Sequence, residues 1–215
     1  MRVVIPIFPQ FTALDAIGPY EVLRLVPGAE VIFAAAATGV VRTESLMVGL
    51  HADAAFDEID SADVLVFPGG WGTRALMTDE KVLDWVRAVD ATTQWTTSVC
   101  TGSLVLGAAG LLDGLEATTH WSTVQKLEKL GTRYTEQRVV RQGKIITAAG
   151  VSSGIDMALT LAGLIAGERI AKAIQLAIEY DPQPPFDAGS PAKAGPEIIA
   201  VNATLRDLPP ASASR

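Results

Sequence analysis

Four apolar runs, each too short for a helix and each ending in a turn or leading into a helical pattern, constrain this chain more than any other feature. Residues 2–8 (RVVIPIF) are continuous and rich in β-branched side chains, as a strand covered on both faces must be. Residues 30–36, 62–67 and 94–99 repeat the signal, and the run at 62–67 stops at Pro68-Gly69-Gly70. Between the runs at 62–67 and 94–99, residues 79–89 set Val82, Leu83, Val86 and Val89 on one helical face behind Asp79 as N-cap. Pro19 marks a place for a helix to begin, ahead of residues 20–25. Residues 101–109 and 123–130 predict shorter helices, residues 138–148 a hairpin about Gln142-Gly143, and residues 155–180 two helices parted near Gly167. This alternation predicts an α/β fold with a mostly parallel sheet and helices on both faces.

Composition then narrows the function classes. Seventeen basic against 24 acidic side chains give a formal charge of −7, which opposes the clustered basic surface that nucleic acid requires. One cysteine excludes an internal disulfide framework and a Cys-rich zinc site, and His51 and His120 alone make a multi-histidine metal site a poor expectation. A reducing, cytoplasmic setting follows as the expectation. No window approaches the roughly 20 apolar residues of a membrane span, and the N-terminal run broken by Pro6 and Pro9 reads as a strand, not a leader. Seven of the 12 prolines fall at positions 182, 184, 185, 191, 196, 209 and 210. The expected organisation is therefore one domain over residues 1–180 and an extended Pro-rich tail over 181–215.

Ligands on such sheets bind beyond the carboxyl ends of the strands. That rule selects Asp15, the Pro68-Gly69-Gly70-Trp71-Gly72 turn and Cys100. Ser98-Val99-Cys100-Thr101-Gly102-Ser103 is a strand running into a nucleophile with small residues two places before and after it, the pattern of a nucleophile elbow. Such a turn points the sulfur at free N–H groups of a helix start, where cysteine pKa values fall to roughly 3.5–7.5. Taken alone, Cys100 reads first as a small, inert, buried hydrophobe, and it is the strand, turn and helix around it that make it a candidate nucleophile. Asp15, in the apolar segment ALDAIGP, is either a turn carboxylate before the helix or a carboxyl kept protonated by its surroundings and so able to act as an acid. Gly69 and Gly70 permit close backbone approach, with N–H groups directed into the site. His120 is open to two roles, a base for Cys100 or a hydrogen-bonded structural histidine.

The segments LDAIGP (14–19), DVLVFPGG (63–70), TSVCTGSLVLGAAGLLDG (97–114), ATTHW (117–121) and GIDMALTL (154–161), in this order, resemble the DJ-1/PfpI superfamily, most of all its isonitrile-hydrating branch. The likeness spans residues 2–190. It implies a flavodoxin-like three-layer sandwich with the elbow after a central strand. Asp15 stands where other branches carry Glu, and Thr101 stands where the peptidase branch has His. The sequence given ends at Arg215 without a helix-turn-helix module, which opposes a regulator. Trp71 departs from the branch, where a smaller residue follows the glycine pair, so a large ring is expected to line or cap the pocket.

The resemblance implies that Cys100 thiolate attacks the terminal carbon of an isonitrile while Asp15 protonates it. The product is a thioimidate, which water activated by ionised Asp15 then hydrolyses. N–H groups of Thr101 and Gly70 would stabilise developing charge, the Thr101 hydroxyl would orient substrate or water, and Trp71 and His120 would line the substrate site. No cofactor or metal is expected, the partner is a small isonitrile, and the assembly is a homodimer. A glyoxalase- or amidase-like activity, or a cysteine redox sensor without turnover, are the competing expectations.

Overall fold

The computed structural model describes residues 1–206. In chain order its strands are β1 (Arg2–Pro6), β2 (Glu30–Ala35), β3 (Gly39–Arg42), β4 (Gly49–Ala52), β5 (Ala54–Ala55), β6 (Val64–Phe67), β7 (Trp95–Val99), β8 (Glu116–Ala117), β9 (Arg133–Tyr134), β10 (Val139–Gln142) and β11 (Ile145–Ala148). Seven form one sheet in the order β10-β11-β7-β6-β1-β2-β5, parallel except where β10 turns back on β11 about Gly143. The four runs read from sequence are β1, β2, β6 and β7. Every residue of β6 is buried, as are all but the first of β1 and β7, whereas β2 is buried only at Ala34 and Ala35. The central strand β7 (WTTSV) is hydroxyl-rich yet buried. Thr96 Oγ1 donates to Asp90 Oδ1 (2.6 Å) and Thr97 Oγ1 to the Leu65 carbonyl (3.1 Å), which answers the cost of burying them.

The helices are α1 (Ala13–Leu23), α2 (Thr73–Leu76), α3 (Glu80–Asp90), α4 (Gly102–Ala108), α5 (Val124–Glu128), α6 (Ser153–Ala166), α7 (Glu168–Ala177) and α8 (Pro191–Arg206). In α3 the side chains of Val82, Leu83, Val86 and Val89 are the buried ones. Asp79 accepts from the N–H groups of Lys81 (3.1 Å) and Val82 (3.4 Å), a cap worth about 1 kcal/mol.

Two expectations are corrected. Pro19 does not open a helix; it lies inside α1, which starts at Ala13 and so carries Asp15 in its first turn. An interior proline removes the N–H that would bond the carbonyl four residues back, here that of Asp15, and costs about 3 kcal/mol. Tertiary packing overrides that cost. The α1 and α6 backbones meet closely, so that a Cβ on Gly18 would lie 3.0 Å from Ile155 Cγ1 and one on Gly154 would lie 3.3 Å from Pro19 Cγ. The second correction concerns the tail. Residues 191–206 are helical, broken only at Gly195 (φ 73), with Pro196 tolerated at the start of the second segment. The rest of the expected tail, 207–215, lies outside the described residues.

The chain lays β2 on one side of β1 and then crosses to place β6 on the other. Strand order therefore reverses between β1 and β6, and the crevice at their carboxyl ends is where this architecture binds ligands. The β3–β4 hairpin stands outside the main sheet and bends to that same end. Gln10 N–H donates to the Arg42 carbonyl (2.9 Å), Glu44 N–H donates to the Phe11 carbonyl (3.2 Å), and Thr43 bridges to Phe11.

Candidate active site

Cys100 is the first residue after β7 and has φ 56, in the left-handed region that costs a non-glycine residue roughly 1–3 kcal/mol. The surroundings hold it there. Its N–H is shared by the carbonyls of Ala148 (3.1 Å) and Ala149 (3.0 Å), and its own carbonyl accepts from Ser103 Oγ and Thr119 Oγ1, both at 3.1 Å. The turn is sharp enough that a Cβ on Gly102 would run into the Phe67 carbonyl oxygen. This is the elbow that the sequence pattern predicts, with Cys100 only 5% exposed.

Across from it, Asp15 is completely buried. Its Oδ2 accepts from Gly69 N–H at 2.9 Å, and its Oδ1 has no hydrogen-bond partner among the described residues. The approach needs glycine at 69, because a Cβ there would lie 2.5 Å from Thr101 N and 2.7 Å from Asp15 Oδ2. Burial pushes the Asp15 carboxyl up to about 8; the Gly69 N–H and the neighbouring Cys100 thiol only partly offset this, and the charge of Glu44 adds to it. Burial also raises the Cys100 thiol well above its ordinary range. The nearby Asp15 and Glu44 raise it further, against the lowering influence of Thr101 N–H. The expectation of a thiolate made stable by the helix start is thereby corrected: desolvation and adjacent carboxylates outweigh the few N–H groups of α4, and the pair keeps its protons near neutrality.

The remaining site residues separate into near and far. Thr101 adjoins Cys100, but its hydroxyl is occupied: it donates to the Gly70 carbonyl (3.1 Å) and accepts from Gly70 N–H (2.9 Å) and Thr73 Oγ1 (3.2 Å). Gly70 N–H is therefore bonded to Thr101 and does not face the thiol. The network ties the elbow to the glycine turn. Trp71 lies at the rim, 60% exposed, with the Arg74 guanidinium 3.9 Å from its ring centroid, so it caps from outside and does not line a buried wall. His120 Nδ1 pairs with Ser122 Oγ at 2.8 Å and its ring packs on Gly150. The groups that act on the thiol are Asp15, Thr101 N–H and Glu44, and His120 is not among them. Among the described residues, a side-chain hydrogen bond of the His120 ring goes to Ser122.

Sequence reasoning missed Thr73, Thr119 and Glu44. A signal for Glu44 was present. Val40-Val41 and Leu50 flank a loop that opens with Thr43-Glu44-Ser45 and ends at Gly49, the pattern of a hairpin. Among the described residues no helix is long and apolar enough to cross a membrane, and no group of three or more His, Cys, Asp or Glu side chains is placed to hold a metal ion.

The model of the DJ-1/PfpI family matches residues 1–163. An isonitrile hydratase from Pseudomonas putida is 44% identical over 203 residues, spanning 94% of this chain and 88% of that protein. Among solved structures, a ThiJ/PfpI family protein from Pseudomonas syringae superposes with a TM-score of 0.90 at 35% identity, covering 96% of this chain and 86% of that one. Drosophila melanogaster DJ-1beta shares the fold, with a TM-score of 0.76 at 23% identity over 84% of this chain and 98% of its own.

Proposed function

The chain belongs to the DJ-1/PfpI family, and from that premise we propose that it hydrates isonitriles, R–N≡C, to N-substituted formamides, with Cys100 as nucleophile and Asp15 as proton carrier. The observation that carries this reading is the buried Asp15 carboxyl beside the elbow thiol, with one oxygen bonded to Gly69 and the other without a partner. The 44% identity to an isonitrile hydratase supports the substrate class.

An isonitrile carbon must gain both a nucleophile and a proton. Cys100 sulfur bonds to that carbon while Asp15 delivers its proton there, and the thiol proton passes to the Asp15 carboxylate. The net change is addition of S–H across one carbon, giving the thioimidate R–N=CH–S–Cys100. Asp15 next protonates the imine nitrogen and, now ionised, takes a proton from the water that adds to carbon. The tetrahedral R–NH–CH(OH)–S–Cys100 then collapses. Its C–S bond breaks, the hydroxyl proton returns to sulfur through Asp15, and R–NH–CHO leaves. Atoms balance as isonitrile plus water, and the cycle needs no cofactor. Thr101 N–H stabilises charge on sulfur as the bond forms and breaks. The Thr101 hydroxyl holds the Gly70 turn rather than the substrate, and Trp71 bounds the entrance.

The same reading carries a homodimer in a reducing, cytoplasmic compartment, with residues 1–180 as the catalytic domain. The test is incubation with a simple alkyl isonitrile, following the formamide by mass. Wild type forms it, and Cys100→Ala forms neither product nor covalent adduct. Formamide from the alanine variant at the wild-type rate would refute covalent catalysis.

A further inference from the structure

Glu44 lies at the start of the β3–β4 loop, far in sequence from every residue assigned above. Its carboxylate spans two segments. Oε1 accepts from Trp71 N–H at 2.6 Å, and Oε2 accepts from the Thr12 hydroxyl at 3.1 Å. Thr12 is the N-cap of α1, three residues before Asp15, yet its hydroxyl caps nothing in that helix because it is turned to Glu44. Its backbone N–H donates to the Gly69 carbonyl at 2.9 Å. Trp71 follows the Gly69-Gly70 pair, of which Gly69 donates to Asp15 and Gly70 bonds to Thr101. One side chain thus joins the helix start that carries Asp15 to the turn that orients it.

We propose that Glu44 is the positioning residue for the Asp15–Cys100 pair, fastening Thr12 to Trp71 so that the carboxyl stays seated on Gly69 N–H and against the thiol. Insofar as it assigns a part in turnover, this rests on the function proposed above. Its charge adds a second effect to its placement: negative charge at Glu44 favours the protonated forms of both Asp15 and Cys100, whereas the Gly69 N–H lowers Asp15. The charged and titratable groups on the elements that meet there are Asp15, Tyr20 and Glu21 on α1, Cys100 at the elbow, Arg42 on β3, His51 on β4 and Arg74 on α2. Arg42 donates to the Leu46 carbonyl (3.4 Å), while Arg74 donates to the Trp71 carbonyl (3.3 Å) and covers its ring. A purely structural hairpin contact would hold the loop without altering the titration of the thiol.

Glu44→Gln removes the charge and keeps an oxygen for Trp71 N–H, with the amide available to the Thr12 hydroxyl. Glu44→Ala removes both. The experiment measures alkylation of Cys100 by iodoacetamide, read by intact mass from pH 5.5 to 9.5, together with kcat and KM for n-butyl isonitrile and the melting temperature of each protein. For E44Q the alkylation profile moves toward acid, at least threefold faster at pH 7.5. The alkaline limb of kcat moves the same way, and KM stays within twofold. E44A shows the same alkylation shift and in addition loses at least tenfold in kcat. An E44Q alkylation profile superimposed on wild type, or an E44A enzyme with wild-type kcat, overturns the assignment. If wild type makes no formamide, the proposed function fails, and the alkylation arm alone decides the role of Glu44.

Discussion

Replacing Asp15 by Asn should reverse the sign of its effect on stability as pH rises. The carboxyl has an ordinary value of 3.8 and is held at about 8 in the folded chain. Below the lower value both states carry the proton and burial costs nothing. Between the two values the unfolded chain releases a proton that the folded chain keeps, so stability falls with rising pH by about 1.4 kcal/mol per pH unit. Over a window of about four units the loss reaches roughly 5–6 kcal/mol at pH 8, and it is constant above that. Asparagine carries no such term. Its amide oxygen can accept from Gly69 N–H, but its NH2 group occupies the place of Oδ1, which has no partner, at a cost of about 1–3 kcal/mol. The variant should thus be less stable than wild type by about 1–3 kcal/mol at pH 4 and more stable by about 2–5 kcal/mol at pH 8, with the crossing at about pH 4.5–6. At pH 8 that is on the order of 10 °C in melting temperature for a chain of this size. Urea unfolding of both proteins from pH 4 to 8.5 reads the difference directly, because every other titrating group is common to both. The Cys100 thiol, raised well above its ordinary range, stays protonated across the window. Parallel stability curves would refute a protonated, buried Asp15, and with it the acid role.

Three further outcomes test the site. Gly69→Ala places a methyl group 2.5 Å from Thr101 N and 2.7 Å from Asp15 Oδ2; the displacement should lower kcat by about 100-fold, read in the isonitrile assay, with little change in overall fold by circular dichroism. Thr101→Val strips the hydroxyl that Gly70 N–H and Thr73 both use, and should cost about 1–3 kcal/mol in urea unfolding, whereas Thr101→Ser should fall within about 1 kcal/mol of wild type. Cys100→Gly and Cys100→Ala should be equally inactive, yet the glycine variant should unfold at higher urea, by about 1 kcal/mol, because only the alanine must be held at φ 56.

The sheet was legible because its central strands are covered on both faces and are mostly apolar or β-branched, as in residues 64–67. The elbow was legible because backbone geometry there admits only small neighbours, and these appear as letters in the sequence. Asp15 was placed at the right end of the sheet but in the wrong local structure. Proline propensity put the helix start at Pro19, and the close α1–α6 contact that moves it to Ala13 involves Ile155 and Gly154, distant in sequence. The thiolate expectation failed for a related reason. Helix starts and small residues are local features, whereas desolvation of the thiol depends on everything packed around it. Glu44 escaped notice because a hairpin pattern places the loop without saying which of its side chains reaches the site, and its partners Thr12 and Trp71 lie 32 and 27 residues away. The helix at 191–206 was obscured by composition, since prolines at 191 and 196 mark segment starts as readily as they mark extended chain.

Keeping both protons on the pair suits the chemistry proposed better than an isolated low-pKa thiolate would. The carbon of an isonitrile ends with a sulfur and a hydrogen that it did not have, so an ionised thiol alone supplies half of what the step requires. Protonation of carbon makes it electrophilic, and the proton must come from a group that holds it at the working pH and releases it on contact. A carboxyl near its ordinary value would already have lost that proton, and a lysine or histidine would place a cation where the structure has built an apolar, acidic enclosure. Burial of Asp15 meets the requirement, and the Gly69 N–H that partly offsets burial keeps the carboxyl from becoming too weak an acid to give its proton up. The buried Asp15 and the left-handed Cys100 lie beyond the carboxyl ends of β1 and β7, and the interior Pro19 lies in the helix that carries Asp15. The surrounding strands and the α1–α6 contact hold the strained residues in place, which is the condition for a strained site to persist in a folded chain.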